Sequence, residues 1–221
     1  MSLGLCGVIL AAGQSSRMGR DKALLPWPKP GNSAHPASTI LSSAIDTFSD
    51  LCDLVVVVAG ANEDALRPIV EACGATLVIN PDPQRGQFSS LQTGLQEVLN
   101  HGRDNALFTL VDRPPPHADT LGMLAEAFRA KDHKTWAVVP DYEGRHGHPI
   151  VIGREMIEAF LRAPATSNAR EIEHAHPSHV CYLPVNDPLV TTNVDIPQDY
   201  ASLEQDKIEQ LGNLAIGKFE T

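Results

Sequence analysis

Apolar residues in this chain cluster into short runs, and between the runs they recur with the 3.6-residue period of amphipathic helices. Residues 7–11, Gly7-Val8-Ile9-Leu10-Ala11, are all small or apolar, which predicts a strand buried on both faces. The β-branched run over 54–59 predicts a second such strand, and further strands are expected over 75–79, 106–111 and 135–139. An edge or near-edge strand is expected over 180–185. Helices are expected from a Ser38 or Thr39 cap through Phe48, over 63–72 with Gly74 as its stop, and over 89–100 with Ser89 or Ser90 as cap. Three more fall at 120–131, 156–161 and 169–175. Strands and helices that alternate through short connections predict an α/β fold, its sheet mainly parallel and covered on both sides.

Length changes this picture little: 221 residues suit one substantial core. One domain over 1–204 and a tail over 205–221 is the expected organisation. Pro26-Trp27-Pro28-Lys29-Pro30 rules out a helix after the first loop. No apolar run approaches a membrane span and no cleavable leader is evident, so a cytoplasmic protein with no membrane partner is expected. Cys6, Cys52, Cys73 and Cys181 share no metal-binding spacing and read as buried, reduced thiols. A formal net charge of −10 argues against a nucleic-acid partner. Against that acidic body, Arg17, Arg20, Lys22 and Lys29 form a cationic patch with Asp21 alone among them.

That patch lies on the loop leaving the first strand. Ala12, Gly13, Ser15, Ser16 and Gly19 carry little bulk, so backbone N–H groups can approach an anion closely. The loop is not a P-loop, because five residues separate Gly13 from Gly19 and Arg20 follows. It is not the dinucleotide fingerprint either, since Gln14 follows Gly13. Its pattern over 10–22 is L-A-A-G-x-S-x-R-M-G-x-x-K. With that pattern the chain resembles the MobA-like nucleotidyltransferases, and in particular the molybdenum cofactor cytidylyltransferases.

The resemblance runs from about residue 4 to 203. It includes N-P-x-x-x-x-G-x-x-x-S-L-x-x-G-L from Asn80, Asp112 before Pro114, Gly147-His148-Pro149, and N-x-D-x-P-x-D-Y from Asn193. It implies a three-layer α/β/α, Rossmann-like fold of the nucleotide-diphospho-sugar transferase (GT-A) type. It also implies nucleotide contacts at Leu10, Ala11, Ala12, Gly13, Ser15, Asn80, Gly86 and Ser90, and catalytic cations at Arg17 and Lys22. Asp112 and Asp195 would hold Mg2+, His148 and Arg170 would face the acceptor, and Asp199 would cap or support the next helix. Substrates implied are CTP or GTP and a phosphorylated pterin-type acceptor, molybdopterin or molybdenum cofactor. A molybdoenzyme or its maturation factor is admitted as a protein partner.

The chain departs from the family pattern beside Asp112, where Val111 and Arg113 replace the usual neighbours, and again over 167–170. Arg113 stands where the family has Gln or similar, a cation that either weakens metal binding or adds a phosphate contact. Ser167-Asn168-Ala169-Arg170 retains only the last two residues of a G-x-A-R stretch. A non-catalytic cofactor chaperone and a sugar-1-phosphate nucleotidyltransferase are the alternative functions. His146 with His148, and His174 with His176, share the spacing of a metal pair, but no carboxylate or cysteine completes a set nearby.

Overall fold

The structure is a computed structural model that describes residues 4–13, 15, 17–27 and 38–203. The proline-rich stretch over 28–37 and the tail beyond 203 lie outside the described residues. Strand β1 (Leu5–Leu10) sits between β2 (Leu54–Ala59) and β4 (Asn105–Leu110), parallel to both. Strand β3 (Thr76–Ile79) extends the sheet beyond β2, also in parallel. On the other side β7 (Ile150–Gly153) enters antiparallel between β4 and β5 (Ala137–Tyr142). Short β6 (Arg145–His146) folds back on β5, and edge strand β8 (Val180–Pro184) pairs parallel to it, giving an 8-stranded mixed sheet.

Alternation along the central strands explains the two packed layers. Leu5 and Ile9 of β1, with Val55 and Val57 of β2, point towards α1 (Ile40–Ser49), α2 (Glu63–Ala72) and α4 (Ala118–Ala130). Cys6, Val8 and Leu10 point the other way, towards α3 (Gln87–Asn100) and α5 (Arg154–Arg162). A further helix, α6 (Ala169–Ala175), lies beyond α5. Continuous burial of β1 and near-continuous burial of β2 are what a strand covered on both faces requires.

Several expectations change in detail. Helix α3 starts earlier than the Ser89 or Ser90 cap implied: its N-cap is Gly86, at φ +97°. Both serines lie inside the helix, where their hydroxyls accept from the Asn80 amide at 2.9 Å. Strand β7 was not anticipated, because a four-residue apolar run carries no decisive period. Thr39 caps α1 through a capping box with Ser42. Of the four cysteines only Cys6 and Cys52 are buried, with burial raising the Cys6 thiol to about 12; Cys73 is half-buried and Cys181 exposed. The exposure of Cys181 follows from its place on edge strand β8. Among the described residues, no helix is long and apolar enough to cross a membrane.

Gly94 lets α3 lie directly on the sheet, since a Cβ there would fall 2.6 Å from Val8 Cγ1 and 2.9 Å from Val58 Cγ2. Gly94→Ala is therefore expected to lower stability by about 1–3 kcal/mol through overpacking. Urea denaturation of the variant tests this, and an unchanged midpoint would show that the helix shifts freely.

Candidate active site

Where β1 has parallel neighbours on both sides, the loops from the carboxyl ends of β1 and β4 diverge and leave a crevice. The β1 loop is held from beneath. Ala11 N–H donates to Val58 O, and the Asn62 amide donates to Ala11 O at 2.9 Å and to Asp21 Oδ2 at 2.6 Å. Ser15, at φ +48°, accepts the Lys22 N–H on its hydroxyl at 3.2 Å, and buried Met18 pins the loop to the core. Asp21 accepts the Ala23 N–H and so caps the short helical turn carrying Lys22.

Lys22 is buried, and its ammonium lies 2.8 Å from Asp195 Oδ1 and 3.5 Å from Asp112 Oδ2. Arg17 Nη2 approaches Asp195 Oδ1 at 3.4 Å. Asp112 follows β4, and its backbone carbonyl accepts from Val194 N–H at 2.8 Å, which brings the 194–195 segment alongside. Asp199 then accepts the N–H groups of Asp195 and Ile196, at 2.8 and 3.0 Å, and so supports the helical turn at 197–203. The Lys22 hydrogen bond, reinforced by the charges of Lys22, Arg17 and Arg113, holds the Asp195 carboxyl below its ordinary range.

A narrow cleft of about 220 Å³ opens here, walled by Leu10, Ala12, Gly13, Ser15 and Ser90, with Arg17, Lys22, Asp112 and Asp195 along one side. A wider cavity of about 760 Å³ adjoins it and shares Leu10, Gln87 and Leu110. His148, Arg170 and Gly86 line this second space, together with Arg113. Ala11 and Asn80 line neither: Ala11 is part of the core, and Asn80 ties the end of β3 to the first turn of α3. Asn168, one of the departures from the family pattern, caps α6 through a capping box with Glu171. His146 stacks on Tyr182 at 3.8 Å, and His176 and His179 pack on Trp136. Among the described residues, no cluster of three or more His, Cys, Asp or Glu forms a ready metal site.

The model of the MobA-like NTP transferase domain matches residues 7–180. The chain belongs to this family. It is 24% identical over 207 residues to the molybdenum cofactor cytidylyltransferase of Escherichia coli, covering 90% of this chain and 94% of that one. To a probable molybdenum cofactor guanylyltransferase of Rhodopirellula baltica it is 34% identical over 125 residues, little more than half of each chain (57% and 56%). Among solved structures, Rv0371c of Mycobacterium tuberculosis superposes with a TM-score of 0.75 at 27% identity, covering 92% of this chain and 98% of that one. A complex of Rv0371c with manganese is also solved, with a TM-score of 0.69 at 23% identity over 90% of this chain and 97% of that one.

For a MobA-like domain, the wall of the wider cavity holds features that no sequence motif announced. The carbonyl of Val190, in the turn Pro188–Thr191, accepts from His148 N–H at 2.8 Å and from Arg113 Nη1 at 3.2 Å. Gly147 is required there, because a Cβ would lie 2.3 Å from that same oxygen. Buried Asp187 anchors the turn, accepting from His117 N–H, Thr120 Oγ1 and Leu189 N–H. Among the described residues the buried side-chain atoms without a hydrogen-bond partner are Asp112 Oδ1, Arg113 Nε and His148 Nδ1, and all three belong to this site.

Two titrating groups of the wider cavity oppose each other. Burial, aided by the Arg113 charge, pushes His148 down from 6.5 to about 3. Burial pushes Glu173 up from 4.5 to about 7, and the nearby Arg170 charge pulls it partly back. Between pH 3 and 6.5 the unfolded chain holds the extra proton at His148, so that contribution to stability is complete above 6.5 and is lost as pH falls. Between pH 4.5 and 7 the folded chain holds the extra proton at Glu173, so stability falls as pH rises. The slopes oppose each other over pH 4.5–6.5. Glu173→Gln is expected to unmask the histidine, with stability rising by up to about 1.4 kcal/mol per pH unit relative to the parent. Urea midpoints across that window measure it, and parallel profiles would show that Glu173 is ionised in the folded protein.

Proposed function

We propose that the chain transfers a nucleoside monophosphate from CTP or GTP to a phosphorylated pterin-type acceptor of molybdenum cofactor chemistry, releasing pyrophosphate. The observation that carries this reading is the convergence of Asp112 and Asp195 on Lys22, with Arg17 on Asp195, beside the narrow cleft. Full-length similarity to a cytidylyltransferase and a shorter match to a guanylyltransferase support the two candidate nucleotides.

In this proposal the 10–15 loop and Ser90 receive the nucleotide, its triphosphate lying along Arg17 and Lys22. An oxygen of the acceptor phosphate forms a bond to the α-phosphorus. The bond from that phosphorus to the α–β bridging oxygen breaks, and its electron pair leaves with pyrophosphate. The attacking oxygen is already an anion, so the demand is for charge neutralisation and alignment rather than a general base. Arg17 and Lys22 meet that demand on the leaving side, with His148 and Arg170 facing the acceptor.

Asp112 and Asp195 suit a divalent ion, magnesium by the oxygen donors they offer. Asp112 Oδ1 has no hydrogen-bond partner and both carboxylates face the Lys22 ammonium, which supports a cation-binding role for the pair. When bound, such an ion supplies Lewis-acid charge neutralisation and a template for the phosphates. The 1–204 region carries this activity, in the cytoplasm, and a molybdoenzyme or its maturation factor receives the product.

Pyrophosphate release with molybdopterin and each of the four nucleoside triphosphates tests the proposal, CTP or GTP being the expected donor. Asp112→Ala is expected to fold and to lose about a hundredfold or more in turnover; full activity with magnesium would remove it as a metal ligand. Lys22→Ala should lower kcat more than nucleotide affinity, because its charge acts on the leaving group. An unchanged kcat would exclude that role.

A further inference from the structure

Arg113 follows Asp112 directly, yet the two side chains serve different spaces: Asp112 walls the narrow cleft and Arg113 the wide cavity. Its guanidinium is fixed by the 3.2 Å hydrogen bond from Nη1 to Val190 O. Among the described residues no carboxylate comes within ion-pair distance of it. Its Nε–H is buried and without a partner. Burial lowers its pKa, while the charges of Asp112 and Asp195 oppose that fall. The Val190 carbonyl that holds it also holds the backbone of His148, whose Nδ1 is likewise buried and unpartnered. Two polar atoms on one wall thus lack partners, a costly arrangement unless a ligand completes it.

The charge of the cavity points to the sign of that ligand. Arg85, Arg113, Arg145 and Arg170 line it and, among the described residues, Glu173 is its one acidic residue, in a chain of net charge −10. A guanidinium matches phosphate oxygens with parallel N–H donors, which an ammonium cannot do. A space of about 760 Å³ is far larger than one phosphate needs and accommodates a fused-ring organic phosphate.

We infer that Arg113 is the anchor for a phosphomonoester group of the acceptor, holding it through Nε–H at the wall shared with His148, on the side of Asp112 away from the triphosphate. Calling this ligand the acceptor rests on the nucleotidyltransferase reading; the anion site itself does not. Arg113 is then a specificity-determining residue that selects phosphorylated over unphosphorylated ring compounds.

Calorimetric titration of the full chain with phenyl phosphate, and with phenol as its uncharged counterpart, tests the anchor. The parent should bind the phosphate and not the phenol. Arg113→Gln should weaken phosphate binding by about tenfold or more, the loss of a charge-assisted hydrogen bond. Arg113→Lys, which keeps charge but not the fork, should fall between, and it carries the test if the glutamine variant does not fold. Arg67→Gln, which removes a cation from the exposed face of α2, should leave probe affinity near the parent value. Affinity that falls with Arg67→Gln and not with Arg113→Gln, or that is equal in all folded variants, overturns the anchor. A melting-midpoint series with CTP and GTP on the same proteins separates the two readings. If neither nucleotide raises the midpoint while the Arg113 contrast persists, nucleotidyl transfer fails and the anion anchor stands.

Discussion

The site is built around one ammonium group. Lys22 carries its charge on a nearly buried side chain, and an unpaired charge so placed would be strongly unfavourable. Asp195 at 2.8 Å and Asp112 at 3.5 Å make the position tolerable, and each comes from a different, distant part of the chain. Every nearby element serves this meeting. Asn62 and Asp21 fix the loop bearing Lys22, β4 delivers Asp112, and the Val194 to Asp112 backbone bond delivers Asp195. Removing one partner from such a group leaves the remaining charges less compensated, so the three residues form one electrostatic unit.

A second organising contact lies one residue beyond. The Val190 carbonyl gathers Arg113 and His148, and Asp187 holds the turn that presents it. The narrow cleft and the wide cavity therefore share a wall but have separate supports. Such a division suits two substrates that must meet at one point: the flexible part of each finds its own space, and only the reacting phosphates need close alignment. The unpartnered atoms of Asp112, Arg113 and His148 mark that boundary. Elsewhere among the described residues, buried side-chain polar atoms are satisfied, so these three distinguish the site from the scaffold.

Much of this was legible in the residues. The runs over 7–11 and 54–59 announced doubly covered strands, because burial on both faces leaves no polar position in the alternation. The glycine-rich loop, read as an anion cradle, lines the narrow cleft, and the family pattern pointed to Asp112 and Asp195, which meet on Lys22 beside it. Ser89 and Ser90 misled: hydroxyls near a helix start usually cap it, but here Asn80 engages both and Gly86 opens the helix. Cys181 misled as well: the edge strand expected over 180–185 forms, and its place at the edge leaves this thiol exposed rather than buried.

What the sequence determined by itself was local: strand and helix periods, the small-residue loop, and which residue types were available for phosphate and metal chemistry. Tertiary structure decided the antiparallel entry of β7, the assignment of Asp112 and Arg113 to separate cavities, and the service of one backbone carbonyl to two side chains. A carbonyl is present at every position and so leaves no signature in residue identity. Its importance arises only when packing removes water from around it and leaves particular donors with nowhere else to go.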